Sequence, residues 1–142
     1  MSHITKINLI VKDLDAMDAA AKRLGLELVR NQKTFKGFTT GRCDHALRVA
    51  GVPGTYEIGL AKRADGKGYE LKWDGHMGAY GPAMPLYKAV GYGEPITFNK
   101  AASCAKLNDW YAATVAKKTM SRQGFRVTLT QQPGKVQVVC SK

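Results

Sequence analysis

The chain has 142 residues, 44% of them hydrophobic, which is enough for one buried core and short for two. Its 22 lysines and arginines against 11 acidic residues give a formal charge of +11, which favours encounter with polyanions such as nucleic acid. This composition argues against a disordered chain, and no apolar run approaches the ~18 residues of a membrane helix. We therefore expect no membrane contact. The three cysteines lack the spacing of disulfide or metal motifs, which favours a protein of the reducing cytoplasm.

The chain opens as a strand, a helix and a second strand. Residues 4–11 alternate and end in an apolar run, as in a strand with one buried face. Asp13 offers a side-chain oxygen to cap the following helix, in which apolar residues recur at steps of three and four up to Leu24. Gly25 ends this helix because glycine readily adopts the left-handed conformation that closes one. Residues 26–29 then alternate as a strand does.

A hairpin is the clearest element in the middle of the chain. In residues 56–74, apolar side chains share one face of each arm, and Asp65-Gly66 marks the turn between the arms. The preceding residues 34–52 have an aromatic and glycine pattern that indicates a strand or two without a readable register. Residues 76–99 carry three of the five prolines and several glycines, which predicts an ordered loop with at most a short helix near residues 85–90.

The C-terminal part is predicted to be a long helix followed by a second hairpin. Residues 100–122 place apolar side chains at steps of three and four, as a helix does. Residues 125–130 and 135–140 then alternate on either side of a proline-glycine turn. Together the elements predict a single α+β domain over residues 1–142, in which a mostly antiparallel sheet of hairpins packs against two main helices.

The turn of the first hairpin, KRADGKG, is basic and rich in glycine, which invites comparison with a phosphate-binding loop. Such a loop has two glycines separated by four residues, followed by lysine and serine or threonine, between a strand and a helix. Here six residues separate Gly59 from Gly66, and a strand follows the turn. The glycines are instead typical of a tight turn, on which Lys62, Arg63 and Lys67 are candidates for contact with a polyanion.

A second basic group lies at the end of the long helix and in the strand after it. It consists of Lys117, Lys118, Arg122 and Arg126. Cations at this end of a helix complement its dipole, by ~0.3–1 kcal/mol each, and they also form a candidate phosphate-binding patch. Neighbouring Trp110 and Tyr111 would add base stacking if either were exposed, although helical spacing favours a core position for Tyr111.

Catalytic chemistry has weaker candidates. Cys43, His45 and His76 are conceivable nucleophiles or acid-base groups, but none lies in a recognisable catalytic motif. The histidines and cysteines also lack the spacing of a metal site. We therefore predict no catalytic residue, no metal and no cofactor, and enzymatic activity is left open without being expected.

Five segments of the sequence resemble one known family. They are MSHITKI, LDAMDAAAKRLGLEL, FKGF, YEIGLAKRADGKGYELKWD and YAATVAKKTMSRQGFRVTLTQQPGKVQVV. In this order, and over most of the chain, they resemble the hypothetical chloroplast reading-frame 35 family, a domain of unknown function with cyanobacterial and bacteriophage members. The resemblance departs at residues 76–100, which are more continuously helical in the family, and in the strong positive charge. The resemblance implies one small α+β domain, and it implies no established activity and no site residue.

The leading functional hypothesis is a small, basic, non-enzymatic binding or accessory protein of the kind a phage encodes. Its positive surface would engage nucleic acid or an acidic host protein in the cytoplasm of a bacterial or phage-infected cell. A first alternative is a small-anion or nucleotide-binding module that uses residues 76–99 with basic groups of the hairpin. A second alternative is an enzyme that uses Cys43, His45 or His76. The oligomeric state is left open.

Overall fold

The computed structural model describes residues 5–38, 40–74, 81–92 and 104–142. Within these ranges the chain forms an α+β fold, as the sequence predicts, and its main sheet has five antiparallel strands. Three helices are described, the two predicted main helices and a short one at Met84–Val90, near the predicted residues 85–90. Half of the predicted loop at residues 76–99, including His76, lies outside the described residues, and so does the predicted first turn of the long helix, residues 100–103.

Nine strands are described and they form three sheets. The strands of the main sheet are β1 (Thr5–Val11), β2 (Leu26–Arg30), β5 (His45–Val49), β6 (Ile58–Lys62) and β7 (Tyr69–Trp73). Their order is β1-β7-β6-β5-β2, and every neighbouring pair is antiparallel. Two short strands, β3 (Thr34–Phe35) and β4 (Gly41–Arg42), pair with each other, as do β8 (Arg126–Gln132) and β9 (Lys135–Ser141). Residues 34–52 thus contain three strands rather than the predicted one or two.

The helices in the described residues are α1 (Leu14–Arg23), α2 (Met84–Val90) and α3 (Ala105–Arg122). α1 begins after Asp13, whose Oδ1 accepts a hydrogen bond from the Ala16 N–H at 3.0 Å, and Gly25 follows its end with a φ of 75°. Both boundaries match the prediction, for the capping and glycine reasons given above. Because β1 and β2 are opposite edges of the main sheet, α1 crosses one of its faces between them.

The helices bury the apolar side chains of one face of the main sheet. Ile58, Leu60 and Leu71 are fully buried there, which confirms the apolar face predicted for the hairpin of residues 56–74. Met17 of α1 and Leu107 of α3 belong to the same cluster. Burial of each such side chain contributes ~1.5–3 kcal/mol, so this cluster is the main stabilising element of the fold.

The opposite face of the main sheet carries a smaller core beneath β3 and β4. Phe35 packs there with Cys43 and Ala46. Its ring lies between Gly41 and Gly59, and a Cβ atom on either glycine would overlap the ring. These two positions therefore require glycine because of the close approach of an aromatic side chain.

The C-terminal hairpin of β8 and β9 packs against α3 and forms no part of the main sheet. Its inner face carries the half-buried side chains of Leu129, Val136 and Val138. The indole Nε1–H of Trp110 donates a hydrogen bond of 2.6 Å to Gln131 Oε1. A two-stranded hairpin is marginally stable by itself, so its order depends on these contacts with α3.

We expect Gly59→Ala to destabilise the fold by ~1–3 kcal/mol, because the new methyl group would overlap the Phe35 ring and lie 2.9 Å from Cys43 Cβ. The gain of ~0.4–1 kcal/mol from a less flexible unfolded chain does not offset this overlap. Urea unfolding of both chains measures the difference. In a Phe35→Ala background the same substitution should cost much less, and an equal cost in both backgrounds would show that the ring is not the cause.

Candidate polyanion-binding groove

One tyrosine hydroxyl docks the start of α1 on α3. Tyr111 Oη accepts hydrogen bonds from the backbone N–H groups of Lys12 and Asp13, at 3.0 and 3.2 Å. Backbone N–H groups at a helix start have no partner within the helix, so α3 supplies an acceptor that α1 lacks. The tyrosine is 6% exposed, and its position fixes where the two helices meet.

The carboxylate of Asp13 makes the second contact at this junction. Its Oδ1 caps α1 through the Ala16 N–H, and its Oδ2 accepts a hydrogen bond of 2.6 Å from Lys118 Nζ. The hydrogen bond from Lys118 is the largest cause of a lowered pKa of Asp13, and the Ala16 N–H adds to it. Asp13 therefore stays ionised and holds one lysine of the predicted basic patch close to α1.

A groove of about 530 Å³ runs between α1 and α3 beside this junction. Its lining consists of Asp15, Ala16 and Ala19 from α1 and of Thr114, Lys117, Lys118, Ser121 and Arg122 from α3. The α3 residues recur at steps of three and four and thus share one side of the helix. The structure therefore brings three of the predicted site residues into a single concave surface.

The two carboxylates beside the groove already have cationic partners. Asp13 is paired with Lys118, and Asp15 Oδ1 lies 2.6 Å from Arg30 Nη2. Lys117 and Arg122, in contrast, have no ion pair with any described residue. Their charges are thus available to an incoming anion, and the Ser121 hydroxyl beside them is a further hydrogen-bond donor.

Three backbone amides of the KRADGKG turn are already bonded within the turn and are not available to a phosphate. The Arg63 N–H donates to the Gly68 carbonyl, the Gly66 N–H to the Arg63 carbonyl, and the Lys67 N–H to Asp65 Oδ1, at 2.9, 3.0 and 2.9 Å. Arg63 also pairs with the Asp65 carboxylate at 3.0 Å. Of the predicted cations here, only Lys62 and Lys67 are exposed and have no ion pair within the described residues.

The turn and the groove lie at the same end of the main sheet. A Cβ atom at Gly68 would lie 2.6 Å from the carbonyl oxygen of Val11, so the turn touches the end of β1. The next residue, Lys12, is exposed and meets Tyr111, which lies 99 positions away in the chain. Lys12 therefore lies between the two predicted basic groups. Sequence reasoning missed it because no local pattern indicates a contact between residues so far apart.

Arg126 and the two aromatic residues lie outside the groove surface. Arg126 pairs with Ser141 on the outer, exposed face of the C-terminal hairpin and does not line the groove. Trp110 and Tyr111 are 4% and 6% exposed, so neither can stack on a base. The exposure that base stacking would require is therefore absent, and the core position that helical spacing favours for Tyr111 is confirmed, because both side chains fill the interface between α3 and its neighbours.

The thiol of Cys43 is held in a protonated form. It donates a hydrogen bond of 3.2 Å to the Gln32 carbonyl oxygen. Burial is the main cause that raises the pKa of Cys43 to about 11, and the carboxylates of Asp44 and Glu57 raise it further. Since the thiolate is the nucleophilic form, Cys43 is poorly suited to nucleophilic catalysis at neutral pH.

His45 is held in the neutral form by its surroundings. Its Nδ1 accepts a hydrogen bond of 2.9 Å from the Asn31 N–H, and its Nε2 lies 3.3 Å from the hydroxyl of Tyr69. Burial is the main cause that lowers the pKa of His45. The nearby charge of Asp44 raises this pKa, whereas the charges of Lys33 and Arg30 lower it further. His45 thus connects two parts of the sheet and is 8% exposed, which leaves it little access to a substrate.

We expect Asp13→Ala to destabilise the fold by ~0.5–2 kcal/mol, because it removes the cap of α1 together with the contact to Lys118. Asp13→Asn keeps a capping oxygen and should cost less, since a partly exposed ion pair contributes only ~0–1 kcal/mol. Urea unfolding at neutral pH measures both. Asp18→Ala, which removes an exposed helix pair with Lys22, is the matched control; if Asp13→Ala cost no more than this control, the cap would not be important.

Stability should fall as the pH drops from about 7.5 to about 5.5, in part because of His45. The folded chain holds the pKa of His45 below its ordinary value of 6.5, so the unfolded chain binds a proton more readily. The contribution of neutral His45 to the free energy of unfolding is therefore complete above pH 6.5 and is lost as the pH falls below 6.5. Urea midpoints across this range for wild type and His45→Asn test the assignment: the variant should show a flatter profile, and identical profiles would contradict it.

Comparison with other proteins does not assign a function to this groove. No protein-family model, no curated protein and no solved structure matches the chain. The resemblance to the chloroplast reading-frame family therefore stays a prediction. None of the helices in the described ranges is long and apolar enough to cross a membrane.

Proposed function

We propose that this chain is a non-enzymatic accessory protein that binds nucleic acid through phosphate contacts in the groove between α1 and α3. The observation that carries the proposal is the pair Lys117 and Arg122, which face this groove without an ion pair in the described part of the chain. The carboxylates nearby are already paired with Lys118 and Arg30, so they do not cancel these two charges.

Phosphate contact is the chemistry that this lining fits best. Arginine presents a planar fork of donors that matches a phosphate, lysine adds a compact charge, and Ser121 adds a neutral donor. Such contacts position a nucleic acid but do not read its bases. Because phosphate contacts carry no sequence information, we infer binding that does not depend on sequence. Trp110 and Tyr111 are buried, so neither of them adds base stacking beside the groove.

The surface around the groove extends the proposed contact. Exposed Lys12 adjoins the groove at the start of α1, and Lys67 lies on the turn that touches the end of β1. A nucleic-acid backbone that follows this end of the sheet would meet both groups. Arg126 lies on the outer face of the C-terminal hairpin, and we assign it no part in this contact.

The overall charge supports the same proposal. A formal charge of +11 raises the rate of encounter with polyanions, and neutralised phosphates release condensed counterions, so the affinity depends on salt. The resemblance to a family with bacteriophage members is consistent with an accessory protein made in an infected bacterial cell. Family membership and cytoplasmic location are part of this proposal.

Binding of a fluorescently labelled DNA duplex of mixed sequence tests the proposal by anisotropy over a series of salt concentrations. We expect affinity to fall steeply with salt and to vary little with sequence. Lys117→Glu and Arg122→Glu should each weaken binding and reduce the slope of log affinity against log salt by about one.

Lys135→Glu is the matched control, because it makes the same change in net charge at the exposed turn of the C-terminal hairpin, away from the groove. It should weaken binding much less than the two groove variants. Equal losses in all three variants would show that only net charge matters, and binding that persists at high salt would contradict phosphate contact.

A further inference from the structure

The sheet face opposite α1 and α3 holds a second concavity, a cleft of about 470 Å³. It lies between the β2–β5 edge of the sheet, the segment around Lys36 and the loop of residues 51–54. Glu27 and Arg48 are cross-strand neighbours there and pair with each other. Small-molecule sites commonly have volumes of ~300–1,000 Å³, so this cleft is large enough for a small ligand.

The carboxylate of Glu57 is held in a fixed position at this cleft. Its Oε1 accepts hydrogen bonds from the Lys36 N–H at 2.8 Å and from Gln32 Nε2 at 3.0 Å. The Glu57 N–H in turn donates to the Lys36 carbonyl oxygen at 2.9 Å. The other carboxylate oxygen, Oε2, makes no hydrogen bond with a described residue. One oxygen thus orients the group and the second is available to a cationic ligand atom.

Two further groups in the cleft have no partner of their own among the described residues. The Lys36 side chain extends over the loop, with Nζ 4.0 Å from the position of a Cβ atom at Gly54, and it forms no ion pair there. Thr55 is 7% exposed and lines the cleft, yet its hydroxyl makes no hydrogen bond within the described residues. An ammonium group and a nearly buried hydroxyl are both suited to a ligand carboxylate.

We propose that this cleft binds a small zwitterion of the amino-acid class. The ligand carboxylate would lie at Lys36 and Thr55, and its ammonium group at Glu57. The basic side chains of the cleft, Lys36 and Arg48, are balanced by Glu27 and Glu57. A balanced lining favours a ligand with both charges over a simple anion, because Glu57 would repel the latter. The site is independent of the groove, since it lies on the other face of the sheet.

Nuclear magnetic resonance of the uniformly ¹⁵N-labelled full chain tests this site, with the standard L-amino acids added one at a time. At least one amino acid should cause saturable shifts centred on the amides of Lys36, Thr55 and Glu57. Its N-acetyl derivative lacks the ammonium group and its carboxamide lacks the carboxylate, so each should bind about tenfold more weakly or worse. The proposal is overturned if no amino acid shifts these amides or if the N-acetyl form binds as well as the free one.

Variants of the lining separate a site from a general effect of the fold. Glu57→Gln keeps an oxygen for the Lys36 and Gln32 donors and should weaken amino-acid binding about tenfold. Thr55→Val keeps the shape of the side chain and should weaken it several-fold, whereas Lys135→Gln should leave it unchanged. DNA binding should be equal in wild type and Thr55→Val, so either proposal can fail without the other. Unchanged amino-acid binding in Glu57→Gln would contradict the assigned pose.

Discussion

Three groups meet at the first turn of α1: the hydroxyl of Tyr111, the carboxylate of Asp13 and the ammonium of Lys118. The ion pair is about one-third exposed, so its charge attraction alone is a small term. The larger effect is that α3 satisfies backbone groups at the start of α1 that would otherwise lack partners. Since α1 connects the two edges of the main sheet, this junction also decides where α3 lies over the sheet. The groove and its charges depend on that placement.

Elements with local signals could be predicted from the sequence. Asp13 and Gly25 mark the ends of α1, and both act by mechanisms within one turn of the chain. Gly66 and Gly68 adopt the positive φ angles, 72° and 102°, that a tight turn requires. The core beneath β3 and β4 was not predictable in this way. It depends on a contact between the Phe35 ring and Gly59, and a glycine within a strand pattern does not reveal which side chain approaches it.

The candidate site was only half predictable for the same reason. The spacing of Lys117, Lys118 and Arg122 places them together near the end of a helix, which the sequence shows directly. The second wall of the groove comes from α1, whose contact with α3 joins distant parts of the chain. Sequence alone therefore could not distinguish Lys118, which is paired with Asp13, from Lys117, which faces the groove without an ion pair in the described residues.

The chain has a formal charge of +11, but its groove and its cleft differ in charge: the groove carries cations that are unpaired among the described residues, and the cleft carries charges of both signs. In the groove, the acidic groups are already paired with Lys118 and Arg30, so the cations that remain are available to the proposed partner, whose phosphates would be spread along a chain. Salt screens such attraction beyond a Debye length of ~8 Å, so its strength depends on the salt concentration. In the cleft on the other face, Lys36 and the oriented carboxylate of Glu57 lie within one concavity. For the proposed zwitterion, these opposite charges would act through direct hydrogen bonds, which salt weakens much less, so we expect discrimination there to depend on ligand geometry rather than on net charge.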